Sequence, residues 1–290
     1  MLQGTLNNNS IYISKLKELP TIPLKNQQLL ALINTDSSDI DIDYLSSCIQ
    51  EDPSLTAKLI GMANSAYFNP SGVILSVDDA IIKALGLNLV KALVLSMLLD
   101  SNLSVSDSKR FPVNQFWTES LSVAFLSKTL ATRSTLVEIN PDECYLCALL
   151  HKIGVLALAH LFSDEMDEVL SDDTIIFDRF RLAEEEQRVL GFDHSLAGET
   201  LAHKWGLPES IGVVMANQMV QNYQGEYDKT VYLISTVSSI VSSIFLKETI
   251  PTPDNFMSDL CIILKDDESI EELAEDIVDQ MKALSEILSL

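Results

Sequence analysis

The sequence predicts an all-α protein with two helical lobes, an N-terminal helical bundle and a C-terminal lobe, followed by a C-terminal amphipathic helix. Hydrophobic residues make up 47% of the chain and aromatic residues only 7%, a balance that suits helices packed on helices. Ten glycines and nine prolines in 290 residues are too few for a sandwich with many turns. Apolar residues also recur at helical spacing, whereas strand-like alternation is scarce.

The N-terminal lobe carries clear signals for the start of helices. Asp52 is a helix N-cap, and Pro53 fits the first turn because its missing N–H would have no partner there. Ser76 and Asp79 form a capping box, and Gly86 is expected to end that second helix. The helix that follows Asp52 has one apolar face, which is formed by Leu55, Leu59, Met62, Ala63 and Ala66.

A buried helix and a linker are predicted at the end of this lobe. The run LNLVKALVLSMLL, at 87–99, is apolar nearly all round, which is typical of a buried helix. The small polar residues of Ser101–Ser108 predict a linker, and a second helical lobe is expected to begin near Phe111. The predicted divisions of the chain are an N-terminal lobe at 1–105, a second lobe at 111–248 and an extension at 250–290.

The second lobe contains two further start signals. Asn140, Pro141 and Glu143 predict a helix that leads into CALLHKIGVLAL at 147–158. Asp193 is expected to cap another helix, which a glycine and a proline close. The residues assigned to that helix and to its end are His194, Ala197, Leu201, Trp205, Gly206 and Pro208.

The C-terminal extension differs from the rest of the chain in charge. Ile250–Leu290 contains eleven acidic residues and two lysines, and Ser269 with Glu272 forms a capping box. The apolar positions repeat at helical spacing and predict an amphipathic helix with an acidic back. Such a helix either docks on its own domain or binds a partner protein. Its apolar positions are Ile270, Leu273, Ile277, Met281, Leu284 and Leu288.

Overall charge makes some classes of partner less favourable than others. The formal net charge is −23, with 42 acidic residues against 19 basic ones. Binding of nucleic acid or of anionic membrane surfaces is disfavoured, because both need clustered lysine and arginine, whereas basic partner proteins remain allowed. The N-terminal MLQGTLNNNS has no signal-peptide pattern, and four cysteines do not indicate a disulfide framework. We therefore expect a cytoplasmic protein.

Several residues that could carry chemistry have a simpler structural interpretation. Cys144 and Cys147 form a CxxC, a spacing that redox and zinc sites use. No second CxxC is present, and cysteine is among the most buried residue types, so core packing is the favoured interpretation. The same interpretation applies to Cys48 and Cys261, and the histidines at 160 and 203 are taken as structural.

The longest apolar stretch, Tyr145–Phe162, contains a lysine that needs an explanation. Its polar residues, together with Gly154, which is expected to end a helix, argue against a membrane span. Lys152 follows His151 in the middle of this stretch. An unpaired charge is costly to bury, so Lys152 needs either a partner or a route to water.

Several ordered blocks of sequence resemble a known family. They are LSSCIQEDPSLTAKLIGMANSAYF, SVDDAIIKALGLNLVKALVLSMLL, FWTESLSVAFLSKTLA, ALLHKIGVLAL and EEEQRVLGFDHSLAGETLAHKWGLPESI. Together they resemble the HDOD family, bacterial signalling output domains that are related to HD phosphohydrolases. The resemblance runs from about Leu19 to Leu246, and the tail after Ile250 lies outside it. It implies that the second lobe is HD-like.

The resemblance implies a degenerate form of the HD metal site. In HD phosphohydrolases, histidines and aspartates from several helices hold two metal ions, which activate water against a phosphoester. Glu119 stands where the first histidine would be, and the HD pair is His151–Lys152. The histidine of the GFDHS block is present as His194. Gln218 stands where a pair of histidines often follows, and the last aspartate maps to Ser238.

Of the differences from the HD metal-site pattern, the lysine at position 152 has the largest physical consequence. A charge of +1 at about 4 Å from a divalent ion, at an effective dielectric of about 20, repels it by roughly 8 kcal/mol. Our hypothesis is that the Lys152 ammonium replaces the metal and pairs with Glu119 at about 3 Å, with His151 as a possible hydrogen-bond acceptor. The alternative is that Lys152 only snorkels from a helix end to water.

The resemblance and the lost ligands together imply a non-catalytic regulatory role. The expected protein is an HDOD signal-transduction protein, a pseudo-enzyme that binds signalling proteins and needs no metal or cofactor. One alternative is a metal-dependent phosphohydrolase of the HD type, with Glu119, His151 and His194 as ligands. The other is a pseudo-enzyme that senses a nucleotide, for which the sequence offers Lys152, Lys204, Arg179 and Arg181 as phosphate partners.

Overall fold

A computed structural model describes residues 12–35, 39–65, 73–133 and 139–246. Within these ranges the regular structure is helical and contains no strand, so the predicted all-α class is confirmed. The described residues divide into two compact units. The N-terminal unit comprises residues 22–102, and the C-terminal unit comprises residues 103–246 together with 12–21.

The units assign two segments differently from the predicted lobes. Residues 12–21 and 103–105 belong with the C-terminal unit, whereas the predicted division placed them in a lobe at 1–105. Two side chains near the end of one helix hold the first segment: Trp205 Nε1 donates to Pro20 O at 2.9 Å, and Lys204 Nζ donates to Lys17 O at 2.7 Å. The extension at 250–290 and its amphipathic helix lie outside the described residues.

The predicted helix caps of the N-terminal unit are confirmed. Asp52 accepts from the backbone N–H groups of Ser54 and Leu55, Ser76 caps the N–H of Asp79, and Gly86 ends its helix at φ 77°. The buried helix at 87–99 is also confirmed, and it continues to Asn102. The helices are α1 (Leu24–Asn34), α2 (Ile42–Gln50), α3 (Pro53–Ala63), α4 (Val77–Asp79), a π-helical continuation (Ala80–Leu85) and α5 (Leu87–Asn102).

The C-terminal unit is built around two groups of packed helices. The longest helix, α6, packs on α7 and α13, while α11 packs on α8 and α12. Asn140 caps α7 and Asp193 caps α11, as predicted, and Gly206 ends α11 with a left-handed φ of 62°. The helices are α6 (Val113–Arg133), α7 (Pro141–Leu150), α8 (Ile153–Leu161), α9 (Ser163–Val169), α10 (Arg179–Leu190), α11 (His194–Trp205), α12 (Glu209–Asn217) and α13 (Asp228–Phe245).

The predicted linker at Ser101–Ser108 is only partly a linker. Its first two residues complete α5, and its last residue, Ser108, is hydrogen-bonded to α9. Asp167 accepts from Ser108 Oγ at 2.6 Å and from the backbone N–H groups of Lys109 and Arg110, both at 3.0 Å. These hydrogen bonds lower the pKa of Asp167 against the opposing effect of its burial. The Asp167 carboxylate therefore fixes residues 108–110, near the start of the C-terminal unit, against α9.

The apolar stretch that contains Lys152 forms the centre of the C-terminal unit. Pro141–Leu161 is long and apolar enough to cross a membrane, but 83% of its most apolar window is buried among other helices, as in the core of a globular domain. The helical structure is interrupted at His151–Lys152, and this helix break separates α7 from α8.

Gly154 does not end a helix, so that expectation was wrong. It lies inside α8, where a Cβ atom would come within 1.9 Å of His194 O and 2.7 Å of Gly198 N. Its missing side chain therefore allows α8 and the start of α11 to pack backbone against backbone.

Candidate functional site

A buried ion pair joins α6 to the break between α7 and α8. Lys152 Nζ donates to Glu119 Oε2, and the two side chains are only 5% and 3% exposed. The predicted contact between these residues is therefore present. Because Lys152 is buried, the alternative that it snorkels to water is wrong.

The surroundings of Lys152 differ from the prediction in one respect. We expected His151 as a possible acceptor for the ammonium group, but Lys152 Nζ instead contacts Ile176 O at 3.4 Å. It also lies 5.4 Å from the centre of the Phe116 ring, within range of a cation–π interaction. Burial lowers the pKa of Lys152 and raises the pKa of Glu119, and each partner's charge opposes the shift of the other.

His151 is held as a neutral, buried side chain. Its Nδ1–H donates to Ala148 O at 2.6 Å, which assigns the proton to Nδ1 because a carbonyl oxygen only accepts. Burial, with the nearby charge of Lys152, lowers the pKa of His151 to about 3. Its own carbonyl group, at the helix break, accepts from Gln218 Nε2 at 2.6 Å. Gln218 thus supports the backbone of the break, and its buried Oε1 has no partner among the described residues.

His194 is paired with a glutamate that the sequence interpretation did not identify. Glu186 Oε2 accepts both the backbone N–H of His194 at 2.8 Å and its Nδ1–H at 2.6 Å. Burial opposes protonation of His194, but the charge and hydrogen bond of Glu186 outweigh it and raise the pKa of the imidazole. Glu186 shares a buried face of α10 with Leu182 and Leu190, a helical spacing that could have singled it out from its exposed acidic neighbours.

Two other residues named in the sequence interpretation, Ser238 and Arg179, lie on α13 and α10. Ser238 is buried on α13, and within the described residues no hydrogen bond joins it to the other predicted site residues. Arg179, at the start of α10, donates to Ser235 Oγ at 3.2 Å and Ser239 Oγ at 2.9 Å, both on α13. It was named in the sequence only as a general phosphate partner.

The other candidate residues have structural roles. Cys144 and Cys147 are buried and burial raises the pKa of both thiols, which confirms core packing, whereas Cys48 is partly exposed. His160 Nδ1 hydrogen-bonds to Ser104 O at 2.8 Å, and Arg181 pairs with Asp172 at 2.7 Å. Cys261 lies outside the described residues.

The donor groups present do not fit a divalent metal centre of the HD type. Glu119 is the one carboxylate at the predicted ligand positions, and its ion pair puts an ammonium group where a cation would have to sit. Across the described ranges, no three histidine, cysteine, aspartate or glutamate side chains converge in a way that could hold a metal ion. Both His151 and His194 nevertheless donate Nδ1–H to an oxygen, as metal-binding histidines commonly do.

Comparison with known proteins identifies the family. The HDOD domain profile matches residues 19–220. A curated relative from Treponema pallidum (strain Nichols), named as uncharacterized, is 25% identical over 236 residues, which cover 77% of this chain and 42% of that protein. The match therefore covers less than half of the length of that relative.

Solved structures share the fold at low identity. An HDOD domain protein of unknown function from Geobacter sulfurreducens gives a TM-score of 0.73 at 21% identity, with 99% of both chains covered. A protein from Marinobacter aquaeolei VT8, named as a candidate signal transduction protein, gives 0.78 at 21% identity, covering 94% of this chain and 60% of that one. A candidate phosphohydrolase from Shewanella amazonensis SB2B gives 0.72 at 22% identity, covering 96% and 97%. The profile match extends over more than half of the sequence, and the chain belongs to the HDOD domain family.

Proposed function

We propose that this protein is a non-catalytic regulator in signal transduction that acts by binding other proteins. The observation that carries the proposal is the buried ion pair of Lys152 with Glu119. By the resemblance, the two residues stand at positions where the related hydrolases hold metal ions, and the pair engages the carboxylate that would be needed as a ligand. A hydrolase of this type depends on a metal to activate water, so a site whose side chains do not fit a metal would lack the source of its nucleophile.

The electrostatic surroundings support the same proposal. A divalent ion at this position would be repelled by the ammonium of Lys152. It would also be repelled by the protonated form of His194, which Glu186 favours by raising the pKa of the imidazole. Conversion of the site to a metal centre would therefore require Lys152 to lose its proton and Glu119 to exchange partners. Burial favours the neutral form of Lys152, but the charge of Glu119 opposes it.

The relatives are compatible with a signalling role and also with the main alternative. The Marinobacter protein is named for signal transduction, and the Shewanella protein is named as a candidate phosphohydrolase. The alternative is thus a metal-dependent phosphohydrolase of the HD type. A net charge of −23 favours partners with basic surfaces over nucleic acids and anionic membranes, and we place the protein in the cytoplasm.

A phosphodiesterase assay tests the non-catalytic part of the proposal. The purified protein is incubated with bis(p-nitrophenyl) phosphate in the presence of Mn²⁺, Ni²⁺ or Mg²⁺. We expect no hydrolysis above the metal-only background. Hydrolysis that disappears in E119Q but persists in E185Q, where an exposed acid of α10 is changed, would establish an enzyme and overturn the proposal.

A binding experiment tests the protein-interaction part. Tagged protein is cross-linked in the host cell, and each captured candidate is purified and titrated against this chain alone. We expect a stoichiometric complex that persists in EDTA, because the proposed role needs no metal. Loss of every complex in EDTA, or the failure of all captured proteins to bind in isolation, would contradict it.

A further inference from the structure

Arg179 is a partly buried cation that forms no ion pair with a carboxylate of the described residues. It is the first residue of α10, and its side chain reaches across to α13. Nη2 donates to the hydroxyl groups of Ser235 and Ser239, while Nη1 reaches Gln218 O only at 3.5 Å. None of the described residues forms an ion pair with it, although charged groups that leave water are normally paired.

The two acids whose charges act on Arg179 form their own contacts elsewhere. Glu119 holds Lys152, and Asp178 caps α10 by accepting the backbone N–H of Arg181 at 3.1 Å. Burial lowers the pKa of Arg179 to about 10, even though the charges of both acids act in the opposite direction. Lys152 and Arg179 thus both act on one carboxylate, Glu119, while the charge of Asp178 also acts on Arg179 without forming an ion pair with it.

The hydrogen-bonding groups around Arg179 are incompletely used. The guanidinium group has five N–H donors, and within the described residues Nε has no acceptor. Ser239 Oγ donates to Ser235 O at 3.1 Å, but the hydroxyl proton of Ser235 has no acceptor in the described part of the chain. Arg179, Ser235 and Ser239 are all partly exposed, unlike the buried Lys152.

We propose that Arg179, Ser235 and Ser239 form a binding site for the phosphoryl group of a small phosphate compound. Nη2 now donates to both serine oxygens, so a bound phosphoryl group would replace them as its acceptor. The guanidinium fork could then bind two phosphoryl oxygens, and a third would accept from the released hydroxyl of Ser235. A carboxylate has only two oxygens and would leave that hydroxyl unused. The ring of Phe180, 48% exposed and 4.7 Å from the Arg179 guanidinium carbon, offers an apolar surface beside the site.

Through this site, a small phosphate compound would regulate the proposed signalling protein. A bound phosphoryl group would cancel the charge of Arg179, which now stabilises the ionised form of Glu119. Occupancy would therefore change the electrostatic environment of the Lys152–Glu119 pair. The site itself does not depend on the proposed partner binding or on the absence of catalysis.

Titration calorimetry in EDTA tests this site, because EDTA removes any contribution from metal ions. The probes are inorganic phosphate, phenyl phosphate and AMP, and they are titrated into wild type, R179Q and R181Q. R181Q is the matched control, since Arg181 lies two residues away on the same helix and pairs with Asp172 on the surface. A double variant, S235A/S239A, removes the hydroxyl groups while keeping the cation.

We expect at least one probe to bind wild type and R181Q equally, with affinity reduced about tenfold or more in R179Q. S235A/S239A is expected to lose several-fold, and it keeps the test valid if R179Q does not fold. Tighter binding of AMP or phenyl phosphate than of phosphate supports an ester ligand, and the reverse supports free phosphate. The inference is overturned if no probe binds, or if binding is the same in R179Q and in S235A/S239A as in wild type. Metal-dependent hydrolysis would contradict the proposed function without affecting this result.

Discussion

Glu119 and Lys152 are 33 positions apart in the sequence and form a buried ion pair in the C-terminal unit. Burial acts against the charge of both groups, raising the pKa of Glu119 and lowering the pKa of Lys152. Each charge is therefore tolerated because the other is present. The consequences of removing one partner, or both, follow directly from this dependence.

K152M is expected to destabilise the C-terminal unit by about 3–5 kcal/mol, because it leaves the Glu119 carboxyl group buried without its partner. Urea unfolding followed by tryptophan fluorescence measures this, since both tryptophans, Trp117 and Trp205, lie in the C-terminal unit.

The double variant E119M/K152M separates the ion pair from general disruption. We expect it to be more stable than K152M, because no uncompensated charge remains. K128M is the control: Lys128 forms an exposed pair with Asp142, and its loss should cost below about 1 kcal/mol. A double variant less stable than K152M would show that Glu119 without its partner does not destabilise the fold, and would contradict this account.

G154A is expected to prevent stable folding of the C-terminal unit or to cost about 3 kcal/mol or more, because its Cβ would overlap the backbone of α11. The same unfolding measurement applies. G212A, in α12, is the control because its Cβ would meet only Ala202 Cβ at 3.6 Å, an ordinary contact. It should be neutral or slightly stabilising. Equal effects of the two substitutions would refute the proposed close approach of α8 and α11.

The neutral state of His151 predicts an acid dependence of stability. Its folded pKa of about 3 lies below the ordinary value of 6.5. Above pH 6.5 neither the folded nor the unfolded state binds a proton at this side chain. As the pH falls from there towards 3, only the unfolded state does. Stability should therefore fall by up to about 1.4 kcal/mol per pH unit from this group.

Comparison of wild type with H151Q isolates this contribution. The difference in unfolding free energy at pH 8 gives the effect of the substitution on packing alone. Between pH 6.5 and 4 we expect H151Q to lose less stability than wild type. Parallel pH profiles for the two proteins would show that His151 takes up a proton in the folded state.

E186Q is expected to destabilise the C-terminal unit by about 1–3 kcal/mol, because Glu186 accepts two hydrogen bonds at the start of α11. The loss should be larger at pH values where His194 is protonated, since Glu186 raises that pKa. E185Q, an exposed neighbour paired with Arg188, should stay within about 1 kcal/mol of wild type. Similar losses in the two variants would argue against the Glu186–His194 interaction.

Local signals predicted most of the helices because caps and apolar spacing act over a few residues. Asp52, Ser76, Asn140 and Asp193 all cap the helices that they were expected to cap. Gly154 was misinterpreted because a glycine that ends a helix and one that permits close packing look the same in a sequence. Only its contact with the α11 backbone distinguishes them.

The site was predictable in part, because one of its main contacts could be inferred from chemical need. A lysine in an apolar stretch requires a partner, and the resemblance placed Glu119 opposite it. Glu186 was missed, and Arg179 was named only as a general phosphate partner, because their roles depend on which elements pack together. Nothing local to Arg179 indicates that Ser235 and Ser239 of α13 would lie against it.

The most direct test of the central claim is anomalous diffraction from crystals soaked in Mn²⁺. If the Lys152 ammonium has replaced the metal, no anomalous peak will lie between His151 and His194, and the Lys152–Glu119 contact will persist. A pair of Mn²⁺ peaks at that position, with Lys152 displaced from Glu119, would contradict the account.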